Sequence, residues 1–232
     1  MLQGIGSFFV GTVVVGYAYQ YFLSDEIEDR TVAKLDEVLE RRIDRVLPDA
    51  ARYGFAGVAR GAPRNVFDGL RDDDELLWLD TYSPDLMLFG PKIREAVKAG
   101  ASLRMLVIDP TADTARLRAA EIVEPGYDAN AFLKATNDFL DYLASAASDL
   151  AAVPGTLTVR RYDDLPGIPM YLRLRDGVLV KGITGFFLSD PSFDAAHLCW
   201  TNVHGGLLAS FHSYFENKWE QATPYCSSAP LE

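Results

Sequence analysis

The sequence predicts an α/β domain tethered by a transmembrane helix, and three observations predict it. An uncharged apolar run occupies Ile5 to Leu23, compact apolar strands alternate with helices between Leu76 and Asp109, and a long amphipathic helix from Asp128 to Leu150 precedes three further strands. The 232 residues fit one ordinary domain with length to spare. With 49% hydrophobic and 24% charged residues the chain can bury a core, which excludes a disordered or low-complexity protein. A net charge of -11 argues against bulk nucleic-acid binding, because so negative a surface repels a phosphate backbone unless its basic residues are segregated. Cys199 and Cys226 have neither metal-ligand spacing nor a disulfide framework, so a reducing compartment and one optional bridge are both compatible.

The N-terminal run, IGSFFVGTVVVGYAYQYFL, approaches the roughly 20 residues a helix needs to cross a bilayer core. A cleaved signal peptide would carry a basic n-region, yet MLQGIGS has none; a buried core helix would not be apolar all round with Tyr17, Tyr19 and Tyr21 gathered at one end. Arg30, Lys34, Arg41 and Arg42 follow the span and no basic residue precedes it, so the domain is expected in the cytoplasm and the N-terminus outside a cell membrane crossed once. Ser7 with Gly11, and Thr12 with Gly16, form small-xxx-small pairs that would let two spans approach closely.

Ser24 can cap a connecting helix whose apolar residues Val32, Leu35, Leu39, Ile43 and Val46 recur at three- and four-residue steps until Pro48. The expected strand Leu76 to Thr81, helix Ser83 to Ala99 and strand Leu103 to Asp109 form a βαβ crossover, which implies a parallel pair. The Asp128 to Leu150 helix carries Phe132, Phe139, Leu143, Ala147 and Leu150 on one face. Strands are expected at Thr156 to Tyr162, Tyr171 to Arg175 and Val178 to Phe187, the last two joined by a hairpin turn at Arg175-Asp176-Gly177. A closing helix from Leu207 to about Gln221 places Leu207, Leu208, Phe211, Phe215 and Trp219 on a core-facing stripe. The expected division is 1–24 transmembrane helix, 25–48 connecting helix, 49–222 domain and 223–232 C-terminal tail.

Between about Arg52 and Ala222 this order resembles one half of the phospholipase D fold, a mixed sheet flanked by helices. The segment PKIREAVKAGASLRMLVID (91–109) resembles that family's helix-plus-strand unit; RYGFAGVARGAPRNVF (52–67) and FHSYFENKW (211–219) resemble the lead-in and closing helix of its non-catalytic members on bacterial signalling and defence proteins. Family enzymes attack phosphorus with the His of a His-x-Lys motif followed by Asp and Gly, the Lys neutralising phosphate oxygens. With Asp176-Gly177 set on the Asp-Gly end, Pro169 stands at the His position and Tyr171 at the Lys position, and His197, His204 and His212 lack a Lys two residues later. The resemblance thus implies a pseudoenzyme without cofactor. No paired Cys/His motif joins the three histidines into a metal site.

Arg160 and Arg161 lie on opposite faces of one expected strand, and Arg173 and Arg175 share a face of the strand expected beside it. If Arg161 or Arg160 joins that face an anion site results, with Arg161, Tyr171, Arg173, Arg175 and Asp176 as its candidate residues; solvated edges that deter strand addition are the alternative. The expected function is a membrane-anchored binding or sensing module working through homo-oligomerisation, with the lipid bilayer, a second copy, and a protein partner or small anionic ligand as partners. A membrane-disrupting pore subunit and an unorthodox phosphodiesterase or nuclease are the rivals.

Overall fold

Two strands buried on both faces set the centre of the fold. In β2 (Asp74–Asp80) and β3 (Ser102–Ile108) the side chains of Leu76, Leu77, Leu79, Leu103, Met105, Leu106 and Ile108 are fully buried, the near-continuous apolar run of a strand covered on each face. A computed structural model describes residues 48–80, 84–121, 128–164, 167–185 and 196–228. β2 and β3 pair in parallel, Leu76 opposite Leu103 and Asp80 opposite Val107, as the βαβ pattern predicts. β4 (Thr156–Tyr162) adds a second parallel neighbour to β3.

The remaining described strands are β1 (Phe55–Arg60), β5 (Met170–Arg175), β6 (Val178–Thr184), β7 (Ala196–Thr201) and β8 (Thr223–Ser227), all paired antiparallel. Together they give one mixed sheet in the order β1-β7-β6-β5-β2-β3-β4-β8. β5 and β6 are joined by Asp176 at φ 50° and Gly177 at φ 71°, the two positive φ angles of a type I′ hairpin. An Asp-Gly pair tolerates them with little strain, and the turn falls where the sequence places it.

Helices cover both faces. The described chain begins in α1 (Pro48–Arg52); α2 (Gly90–Lys98), preceded by a 3-10 turn at Pro84–Phe89, links β2 to β3, and α3 (Asp113–Glu121) and α4 (Ala129–Asp149) link β3 to β4. The Asp128 carboxylate accepts from the Ala131 N–H at 2.7 Å and so caps α4 where the helix is expected to begin, and Phe132, Phe139, Leu143 and Ala147 point into the core as their spacing predicts. α5 (Leu207–Gln221) lies on the opposite face, where Leu208 reaches Gly182 of β6 and Phe215 and Trp219 are buried beneath Arg104 and Arg160.

Some expectations change. Leu207 is 41% exposed, because it sits about 100° around α5 from Leu208 and so falls off the buried stripe. The segment 223–232 is not simply a tail: its first five residues form β8, and the Leu157 N–H donates to Ser228 Oγ at 2.8 Å. The helix after β2 starts as a 3-10 turn and becomes α-helical only at Gly90-Pro91, since proline suits the first helical turn and Tyr142 packs where a Gly90 side chain would go. Among the described residues no helix is long and apolar enough to cross a membrane; the predicted span, Ser7, Gly11, Thr12, Gly16 and the connecting helix up to Leu47 lie outside them.

Gly155 admits β4 to the sheet by close backbone approach. Its N–H donates to Val97 O at 3.1 Å, and a Cβ there would overlap the carbonyl oxygens of Ala101 and Val97. Gly155→Ala should therefore destabilise the domain by about 1–3 kcal/mol, seen as a lower urea midpoint at unchanged slope.

Candidate functional site

β5 presents Tyr171, Arg173 and Arg175 on one face, and the antiparallel register of β2 sets acidic residues against both ends of that row, with Asp74 opposite Arg175. Asp74 is the hub of the first cluster. Arg175 Nε donates to Asp74 Oδ1 at 2.9 Å and Arg173 Nε to Oδ2 at 3.0 Å; Arg173 Nη2 also donates to Oδ2, and the Arg71 backbone N–H closes the set at 2.7 Å. Arg173, only 5% exposed, spends its other donors on the carbonyls of Asp68 and Gly69. Burial pushes the Asp74 carboxyl up, but the bonds from Arg175, Arg173 and the Arg71 backbone outweigh it and bring it down to about 2. Two sequence-selected arginines thus meet, and their common partner is a carboxylate of the chain itself.

The second cluster closes the other end of the same strand pair. The Tyr171 hydroxyl donates to Asp80 Oδ2 at 2.5 Å, and the Tyr162 hydroxyl donates to the Asp80 carbonyl at 2.9 Å. Tyr171 is 2% exposed and Asp80 8%. Desolvation first, then the negative charge of Asp80 and the bond to it, raise the Tyr171 phenol well above its ordinary value, so it stays neutral at any physiological pH. The His197 ring, from the start of β7, stands 6.5 Å from that of Tyr171. These groups gather where β2 and β4 end, the side on which parallel sheets commonly open their binding crevices.

The other selected residues do not join them. β4 and β5 are not neighbours, since β2 and β3 lie between, so the expected single anion site of Arg161 with Arg173 and Arg175 is not assembled. Arg161 instead pairs with Asp109 at 3.4 Å and lies over the Tyr225 ring, while Arg160 donates to Trp219 O at 2.7 Å. Asp176 occupies the hairpin turn. The solvated-edge alternative does not describe Arg173 either, for it is buried between β2 and β6. Asp74 and Asp80 escaped the sequence reading, and His197 was considered there only for catalysis and metal binding, because each is isolated along the chain from the β5 residues it meets. An acidic residue bounding each end of LLWLD was the only available signal.

Chemically, both clusters are closed hydrogen-bond arrangements. The donor of Tyr171 is committed to Asp80, and a neutral phenol there supplies no positive charge to a phosphate. Among the described residues no three His, Cys, Asp or Glu side chains are grouped to hold a metal ion, and Cys199 and Cys226 are both free, on strands near opposite ends of the sheet order.

Three outcomes follow from this geometry. Asp74→Asn should destabilise the fold by on the order of 3 kcal/mol in urea titration at pH 7, because it leaves the buried Arg173 guanidinium without its counter-charge. The Asp74 carboxyl is lower in the folded than in the unfolded chain, so its contribution is complete above about pH 4 and is lost as pH falls toward about 2. Asp74→Asn should accordingly flatten the fall in stability across that window. Tyr171→Phe should cost about 1–3 kcal/mol, from loss of the buried hydrogen bond between the Tyr171 hydroxyl and Asp80.

No protein-family model matches this chain, and no curated protein matches it.

Proposed function

We propose that this chain is a membrane-anchored, catalytically silent phospholipase D-like module that binds or senses a signal and works by self-association in bacterial signalling or defence. The observation that carries the reading is the Tyr171–Asp80 pair. At the position where the resemblance would put the cation that neutralises a phosphate, this chain has a phenol kept neutral by its burial and, after that, by its carboxylate neighbour. With Pro169 at the nucleophile position, neither of the two groups such phosphoryl chemistry requires is supplied.

Anchoring is supported by the uncharged Ile5–Leu23 segment and by the basic residues that follow it, which favour a cytoplasmic domain. Self-association is supported by the resemblance, since family enzymes build their cleft from two halves and this chain contains one. It is supported further by exposed apolar side chains on two elements that leave the same edge of the parallel strands, Met87 and Leu88 on the 3-10 turn after β2 and Leu117 on α3 after β3.

Each part has its own test. Removing residues 1–24 should release a detergent-free folded protein; an insoluble, unfolded product would show that the segment belongs to the core. That soluble form should sediment as a dimer at tens of micromolar and shift toward monomer with Leu88→Asp plus Leu117→Asp, whereas a monomer at all concentrations would remove self-association from the proposal. Hydrolysis of a chromogenic phosphodiester should not exceed that of a Tyr171→Ala, Asp176→Asn double variant. Clear excess turnover would favour the phosphodiesterase reading.

A further inference from the structure

The strand register creates a second charged row, one strand beyond Asp74. Arg173 of β5 stands opposite Lys181 of β6, which stands opposite Thr201 of β7. Like charges directly opposed across strands are unfavourable, and here only one of the two is compensated. Arg173 has Asp74 and two carbonyls; Lys181 is half-buried and, among the described residues, has no carboxylate within ion-pair distance. Burial first, and then the Arg173 charge, lower its pKa, with Asp68, Asp74 and Cys199 acting weakly in the opposite sense.

Lys181 lines a cleft of about 310 Å³. Its walls come from β1, β6, β7 and the 3-10 turn Ala62–Asn65; Ile183 and Ala59 supply apolar surface, Asn65 and Thr201 supply polar groups, and Arg60 is a second basic residue in the lining with Lys181. That volume is at the lower end of small-molecule sites, commonly about 300–1,000 Å³. A half-buried ammonium facing another cation on its own sheet gains most from an anion on its open side.

We propose that this cleft is a binding site for a small organic anion with an apolar body, the carboxylate or phosphate monoester end on Lys181 and the body against Ile183 and Ala59. The site rests on the reading of the chain as a binding module but on neither the membrane span nor self-association. Cys199, diagonal to Lys181 and lining the same cleft, provides a reporter.

The test uses the full-length protein carrying Cys226→Ser, with 3-phenylpropanoate, phenyl phosphate and the neutral isostere 3-phenylpropanol as probes. The rate of Cys199 modification by a thiol reagent is followed against probe concentration, and affinity is measured independently by calorimetry. Either or both anions should protect Cys199 saturably and bind about tenfold or more tightly than the alcohol, which one charge-assisted hydrogen bond supplies. The anion that binds identifies the headgroup. Lys181→Met should abolish the preference for anion over alcohol, Lys181→Arg should retain much of it, and Lys98→Met, on the far end of α2, should leave it unchanged. Equal binding of anion and alcohol by the parent protein, absence of saturable protection by every probe, or an undiminished preference in Lys181→Met would overturn the site. Those results would leave sedimentation, membrane release and phosphodiester turnover as they stand, so failure here is separable from failure of the functional reading.

Discussion

The sheet depends on a single seam. β5 meets β2 where the antiparallel strands β1, β7, β6 and β5 join the parallel strands β2, β3 and β4, and among the described strands no other pairing links the two sets. The seam is fastened at both ends by a carboxylate of β2 and a side chain of β5: Asp74 with Arg173 and Arg175 at one end, Asp80 with Tyr171 at the other. Between them Trp78 packs edge-on against Tyr171, ring centroids 4.8 Å apart. Polar groups placed only at the ends of a strand pair fix register without interrupting the apolar middle, because a one-residue slip would turn both carboxylates to the opposite face.

That fastening bears directly on function. Arginines on a sheet face suggest an anion site when read singly, yet a buried guanidinium is stable only if its charge and donors are matched, and the nearest match is Asp74. The same logic converts the Tyr171 position from a place for chemistry into a structural bond. One strand farther on, Lys181 feels Asp74 and Asp68 only at long range, and with no carboxylate in ion-pair contact among the described residues its ammonium belongs to the lining of a cleft. Compensation at one cation and its lack at the next distinguish a structural cluster from a candidate binding site.

The opposite face follows a different rule. Arg104 is held by Glu75 at 2.6 Å and by Glu216 at 2.9 Å, and its guanidinium also lies 5.1 Å from the Trp219 ring centroid. Lys218 similarly lies over Tyr162 and Tyr214 while pairing with Asp164 at 2.5 Å. Charged groups under α5 are therefore covered by aromatic faces as well as paired, which lets one helix seal a sheet face that is only partly apolar. The net charge of -11 is a sum over the whole sequence and says nothing of how charges pair within these clusters.

Local pattern determined much of this protein without any knowledge of contacts. The period of the α4 residues, the start of that helix near Asp128, the Asp-Gly hairpin and the apolar runs of β2 and β3 are each set within a few residues by helix geometry, turn dihedrals and burial, so they were legible. β1, β7 and β8 were not, because short edge or near-edge strands carry too little periodicity to stand out from loops. Strand order was decided only in three dimensions: β5 follows β4 along the chain but pairs with β2, and no local signal encodes which edge a returning strand will join. The candidate sites inherit that dependence. Arg173 could be seen as a cation from its identity alone, but that its charge is satisfied by Asp74, 99 residues away, while that of Lys181 is not, is settled by register across separate strands.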